Sequence, residues 1–275
     1  MKTKPKKIKI GIIGCGAIGS RIALSLNKEL KDQYQLAGIY DIDAKKARTL
    51  AQKISRPRII KETLSELIQS CDLVVEAINA PQTQDIIRKA VLAKRHVLAM
   101  SVGKLLNAKR LFDLAKRKGC HILLPSGALA GIDAIKAVSL VPLQHITLTT
   151  RKPPAGLSNN PHILRQGIDL TKITDEKIVF DGDVKTAVKF FPQNINVAAT
   201  LALASQAKNK IRIRIITSPR YTTNSHEVEV SGAFGKLITR TENIACPDNP
   251  KTSYLAVLSA IQTLKQFNDS IKIGT

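Results

Sequence analysis

The sequence has no tryptophan, two methionines and few aromatics of any kind. A base-stacking platform for single-stranded nucleic acid is therefore not suggested. Its cysteines are only four, Cys15, Cys71, Cys120 and Cys246, far apart and without CxxC spacing. That argues against a zinc site or a disulfide framework, and no metal is expected. No window is apolar enough to span a bilayer, so no membrane association is expected. The basic opening Met-Lys-Thr-Lys-Pro-Lys-Lys leads into a short strand broken by glycines, not into the apolar core of a signal peptide. A cytoplasmic location is the default. Acidic residues are scarce: 21 Asp and Glu against 43 Lys and Arg leave a net charge of +22. This excess is spread along polar helix faces. It reads as solvated charge that also attracts an anionic substrate and cofactor; no nucleic-acid partner is expected.

What is present is a regular alternation of strand and helix over the first half of the chain. Ile8 to Gly14 (IKIGIIG) is a short apolar run of the kind found in buried parallel strands. A helix follows from about Ala17 to Leu30, then a strand over Tyr34–Tyr40 and a helix over Ala44–Ile54. Arg58–Ile60, behind Pro57, reads as a short third strand. Thr63 with Glu66 three residues later has the capping-box pattern. Strands at Leu73–Ala77, His96–Met100 and His121–Leu124 alternate with a helix opened by Pro81 and another over Lys109–Lys118. This pattern predicts an α/β fold, a doubly wound parallel sheet of the Rossmann type over residues 1–125.

After Pro125 the pattern changes. Ile211, Ile213 and Ile215 alternate with Arg212 and Arg214, a strand with one wet face. Glu227–Val230 and Leu237–Thr241 flank Gly232-Ala233-Phe234-Gly235 and predict a hairpin. Residues 126–249 are therefore expected to form a second, smaller α+β domain, its strands antiparallel in appearance; its roles in substrate binding and dimerisation are what the resemblance below implies. A final helix with an apolar stripe of Leu255, Leu258, Ile261 and Leu264 lies within 250–275 and is expected to pack back on the first domain.

The sharpest local signal is Gly14-Cys15-Gly16-Ala17-Ile18-Gly19, a G-x-G-x-x-G between a strand and a helix. Gly14 permits a tight turn, Gly16 lets backbone approach a pyrophosphate, and Gly19 lets the helix lie close to the strand. The helix N-terminus offers free amides to phosphate oxygens. Asp41, at the end of the second strand, suits hydrogen bonds from the adenosine ribose and repels a 2′-phosphate. It favours NAD, although Lys45, Lys46 and Arg48 close by keep NADP open. Asp43 reads as the N-cap of the next helix. The cofactor set read here is Gly14, Gly16, Ala17, Ile18, Gly19 and Asp41, with NAD or NADP as the ligand.

Several stretches together resemble the L-aspartate dehydrogenase family over nearly the whole chain. They are GCGAIG at Gly14, SVGKL at Ser101, LLPSGALAGIDA from Leu123, TTRKP from Thr149, FPQNINVAATLALA from Phe191, NSHEVEVSGAFG from Asn224 and NPKTS from Asn249. The resemblance implies a Rossmann domain with a smaller substrate domain, a homodimer, and oxidation of the dicarboxylate L-aspartate to iminoaspartate with NAD or NADP. That product feeds NAD biosynthesis or hydrolyses to oxaloacetate and ammonia. The family's active-site histidine falls on His226, and its cofactor contacts fall on Ala128 and Asn196. One departure is the segment Glu76-Ala77-Ile78-Asn79-Ala80-Pro81-Gln82, where many members carry a Gly- or Ser-containing segment with a histidine.

Read as residues alone, His96 and His121 at strand starts look structural, His145 precedes a strand-like Ile146–Thr150, and His162 follows a proline in a loop. Any histidine can exchange protons near neutrality, and a single one is more often structural; it is the family resemblance that points to His226. Asn196 also fits an N-cap for the apolar helix Val197–Ala204, with Asn194 as the alternative register. Ser126 to Gly131 is small enough for close backbone approach or for a hinge. Two substrate carboxylates need cationic or helix-terminal partners; Arg151-Lys152 and Asn249-Pro250-Lys251-Thr252-Ser253 are the candidates. Rival readings are another two-domain dehydrogenase, of the dihydrodipicolinate reductase or homoserine dehydrogenase kind, and a non-catalytic Rossmann sensor or nucleic-acid binder.

Overall fold

A computed structural model of the chain describes residues 7–78, 80–158, 160–191, 195–247 and 249–274. The chain divides into two compact units. One runs to Pro125 and takes back Val257–Lys272; the other is Ser126–Ala256.

The first unit opens with β1 (Ile8–Ile13), α1 (Ala17–Asn27), β2 (Tyr34–Tyr40), α2 (Ala44–Lys53) and α3 (Leu64–Gln69). It continues with β3 (Leu73–Glu76), α4 (Thr83–Leu92), β4 (His96–Ala99), α5 (Lys109–Lys118) and β5 (Ile122–Leu123). The sheet is parallel with order β2-β1-β3-β4-β5. Its strands are apolar on both faces because helices cover both. On one face Ile10, Ile12, Leu36 and Val75 pack with Ile22, Leu26 and Leu50. On the other Ile13, Val74, Val97 and Ala99 pack with Leu67, Ile87 and Leu111. Asp43 caps α2 by accepting from the Lys45 amide, and Thr63 caps α3 by accepting from the Glu66 amide.

The third strand expected at Arg58–Ile60 is corrected. Pro57–Ile59 forms a single 3₁₀ turn, and all that remains of the strand is a parallel bridge between Ile60 and Ile39. Proline at the start of that turn removes an amide that a ladder would need. With Ile60 counted as a one-residue outer strand, the order matches a dinucleotide fold in which the strand order reverses between β1 and β3.

The second unit contains α6 (Ile132–Val138), β6 (Leu143–Lys152), α7 (Pro161–Arg165), β7 (Lys177–Asp183), α8 (Val184–Phe190), α9 (Ile195–Ser205) and β8 (Ile211–Thr217). Then come β9 (Asn224–Gly232), β10 (Gly235–Asn243), β11 (Ala245–Cys246) and β12 (Asn249–Ser253). Its main sheet has order β10-β9-β6-β8-β7. The expectation of antiparallel strands is refined: β9–β10 is the hairpin foreseen, but β6 and β8 run parallel, so the sheet is mixed.

The chain ends in α10 (Tyr254–Phe267), whose residues from Val257 onward belong to the first unit. Its buried stripe is Val257, Ala260 and Leu264, not the stripe through Leu255 and Leu258; Leu258 is exposed. The Tyr34 hydroxyl donates to the Leu264 carbonyl at 2.6 Å, and Phe267 meets the stacked rings of His96 and His121.

Candidate functional site

In the first unit, backbone builds the site. Gly14 has φ of +97°, and a Cβ there would lie 2.5 Å from the Ala77 carbonyl oxygen. A Cβ on Gly19 would lie 1.9 Å from the Gly14 carbonyl oxygen. These two glycines are thus demanded by the turn folding onto α1. Gly16 differs: a Cβ there would meet nothing within 4 Å. The protein itself does not need glycine at 16, so the space beside it suits an incoming ligand. Gly16 is also the N-cap of α1, with no side-chain cap and no acidic residue in the first turn. Its helix amides therefore stand open to an anion. Ala17 and Ile18 are half-buried in that first turn.

Asp41 follows β2 and tethers the turn. Its Oδ2 accepts from the Cys15 amide at 2.7 Å, and its Oδ1 accepts from the Asp43 amide at 2.9 Å. Each oxygen keeps a second lone pair for a ribose hydroxyl. Burial, and secondarily the Asp41 charge, push the Cys15 thiol up to about 12. Next to Asp41, Ile42 is 94% exposed, an apolar side chain left in solvent beside the turn.

Glu76, at the C-terminal end of β3, is a residue the sequence reading passed over. It is fully buried. Its carboxyl accepts from the Ser101 hydroxyl at 2.8 Å and from the amides of Ser101 and Ile78 at 3.1 Å. Burial pushes this carboxyl up, against those hydrogen bonds. The Ser101 hydroxyl also donates to the Ile78 carbonyl. The one hydroxyl hydrogen of Ser101 is thus shared between two acceptors. The signal was there to read: one acid inside a strand otherwise apolar on both faces. Asn79 lies outside the described residues.

In the second unit, side chains build the site. His226 on β9 stands opposite Thr150 on β6, 76 residues away in sequence, and its Nδ1 hydrogen-bonds Thr150 Oγ1 at 3.0 Å. The imidazole is 7% exposed. Burial first, and the neighbouring Lys152 charge second, pull it down to about 4. Lys152, two residues beyond Thr150, shares the same sheet face. It too is buried, and desolvation pulls its ammonium down to about 8.

Ala128 joins this group. Its carbonyl accepts from Thr241 Oγ1 at 2.8 Å and from Asn243 Nδ2 at 3.3 Å. Thr241 is the β10 partner of His226 in register, so the 128 backbone is fastened beside the histidine strand. Asn196 is exposed in the first turn of α9. Because that helix begins at Ile195, Asn196 is inside it, and the N-cap expectation is corrected. Asn194, the alternative register, lies outside the described residues. Of the carboxylate-binding candidates, Arg151 is occupied by Glu227 at 3.2 Å. The side chains at 249–251, Lys251 among them, are outside the description, and Thr252 is half-buried. His162 is packed among Phe180, Phe190 and Phe191, a structural histidine.

Comparison with known proteins separates along the same line. The family model for the C-terminal domain of aspartate dehydrogenase matches residues 133–267, and the model for the NAD-binding domain of homoserine dehydrogenase matches residues 14–125. The chain is similar to the L-aspartate dehydrogenase of Methanosarcina barkeri, 43% identical over 271 residues, covering 98% of this chain and 100% of that one. The L-aspartate dehydrogenase of Methanosarcina mazei is 42% identical with the same coverage. Among solved structures, the aspartate dehydrogenase of Thermotoga maritima aligns with a TM-score of 0.76 at 24% identity, over 98% of this chain and 100% of that one. A homoserine dehydrogenase from Thiobacillus denitrificans aligns with a TM-score of 0.64 at 13% identity, over 96% and 73%. These two likenesses speak to the fold.

Proposed function

The chain belongs to the L-aspartate dehydrogenase family, and from that premise we propose that it oxidises L-aspartate to iminoaspartate with NAD or NADP. Released iminoaspartate hydrolyses to oxaloacetate and ammonia, or serves NAD biosynthesis. A cytoplasmic homodimer is part of the same proposal.

The observation that carries the catalytic part is His226, buried, neutral at physiological pH and fixed through Nδ1 to Thr150. To act as a base it carries its hydrogen on Nδ1, donated to Thr150 Oγ1, leaving the Nε2 lone pair for the substrate. The substrate's amine must shed a proton before its Cα can lose hydride, and His226 accepts that proton. A charged Lys152 beside it lowers the proton affinity of the imidazole and of any ammonium held there alike; its effect is to keep His226 neutral. When bound, the nicotinamide supplies the hydride acceptor, chemistry that no side chain here offers.

The glycine turn supports the cofactor role: open amides at α1 for the pyrophosphate, room beside Gly16, and Asp41 for the ribose. Exposed Ile42 offers an apolar seat to the adenine. Asp41 favours NAD over NADP. Ala128 and Asn196 are assigned to the cofactor by family resemblance.

The test is reduction of NAD and of NADP across a panel of amino acids. NAD reduction with L-aspartate, and a shift toward NADP in Asp41→Ser, are expected. Turnover of homoserine in preference to aspartate, or of no amino acid, would overturn the reading.

A further inference from the structure

Among the described residues, the arginines of the second sheet are neutralised by the fold. Arg151 pairs with Glu227, and Arg212 and Arg214 share Asp181. Lys152 is the buried one: it is 8% exposed, yet among the described residues it forms no ion pair, whereas the unpaired Lys177 on β7 is out in solvent. Its stem runs along the turn at Pro154–Leu157, where a Cβ on Gly156 would lie 3.8 Å from Lys152 Cβ. Its backbone is held as well, since Thr217 Oγ1 donates to the Lys152 carbonyl at 2.8 Å. Burial alone lowers its ammonium to about 8, with no carboxylate holding it up.

Taking an ammonium out of water without a counter-charge is costly, and apolar residues of the same length fill such space better. A fold that keeps the cation there keeps it for an anion that arrives. The neighbourhood indicates which kind. Thr150 and His226 stand opposite one another, and Lys152 is two residues farther along β6, a separation of about 7 Å. A small diacid bridges that distance while its α-carbon faces the imidazole.

We propose that Lys152 is the anchor for a carboxylate of the substrate, making this corner of the second unit a small-dicarboxylate site. The proposal rests on the reading of His226 as the group beside the reacting amine, and it adds the residue that selects a dicarboxylate over a neutral or monocarboxylate amine.

The experiment is calorimetric titration of succinate and of acetate, without cofactor, into the wild type, Lys152→Met and Lys152→Arg, followed by steady-state kinetics. Wild type is expected to prefer succinate. Lys152→Met is expected to lose about 10- to 100-fold in succinate affinity and in kcat/KM for L-aspartate, with NADH binding by fluorescence unchanged. Lys152→Arg restores part of the loss. Wild type and Lys152→Met binding succinate alike, or a wild type that does not bind it, would overturn the proposal. The two readings fail separately: a wild type that binds succinate through Lys152 but oxidises no aspartate keeps the anion site and removes the dehydrogenase assignment.

Discussion

The two units build their sites from opposite materials. In the first, the decisive groups are amides and missing side chains: a turn at Gly14, a helix end at Gly16, a close approach at Gly19. In the second, they are side chains buried away from water: His226 paired across strands with Thr150, and Lys152 without an ion pair among the described residues. A dinucleotide brings its own reactive ring and needs only to be held, which backbone does well. An amine to be deprotonated needs a group with a tuned proton affinity, and tuning needs burial and charge. The first kind of site tolerates change everywhere except at a few glycines. The second stakes stability on polar groups kept dry.

This contrast can be broken most forcefully at His226. His226→Ala should cut kcat by about 10²- to 10⁴-fold, while fluorescence titration shows NADH binding unchanged. Loss of cofactor affinity with turnover retained would show that the division of labour is misdrawn. The glycines sharpen it next. Gly19→Ala should destabilise the protein by about 3 kcal/mol, since its Cβ meets the Gly14 carbonyl. Gly16→Ala should leave the unfolding midpoint unchanged yet weaken NADH binding about tenfold or more. Equal effects in both would mean that position 16 is a folding glycine only.

The smallest effect concerns pH. His226 ordinarily titrates at 6.5 and is pulled to about 4 in the fold. Between those values the unfolded chain binds a proton that the folded one refuses, so stability falls as pH drops through that window, by about 3 kcal/mol in all. Glu76 opposes this, because its raised carboxyl binds a proton more readily when folded. Chemical unfolding of wild type and His226→Asn between pH 7 and about pH 4 isolates the histidine. The variant should lose the steeper slope; parallel curves would mean that the imidazole is not held neutral.

The same contrast explains how much was legible beforehand. The glycine site is local: six consecutive residues between a strand and a helix specify it, and Asp41 follows at a fixed interval. The parallel sheet was legible for a similar reason, since strands apolar on both faces announce two covering layers. The side-chain site depends on register between β6 and β9. No local pattern says that residue 150 will meet residue 226, and only family resemblance singled out His226. Lys152 appeared in the sequence as one cation beside another. Burial without an ion pair among the described residues distinguishes it from Arg151, which is salt-bridged to Glu227. The strand at Arg58–Ile60 was misjudged because Pro57 tightens that segment into a turn and leaves one bridge. The α10 stripe was half right: Ile261 and Leu264 pack on the core as expected, but the smaller Val257 and Ala260 lie there in place of Leu255 and Leu258.

The return of α10 to the first unit makes the second unit an insertion in sequence. During synthesis the nucleotide-binding half therefore waits for its last helix until the whole inserted half has left the ribosome. Until Leu264 arrives, the Tyr34 hydroxyl lacks its acceptor and the sheet face around Ile10 and Leu36 lacks part of its cover. A fragment cut at Pro125 would keep every glycine of the fingerprint and still present an unfinished core. The two halves are thus bound in one order of completion, whatever their separate chemistry.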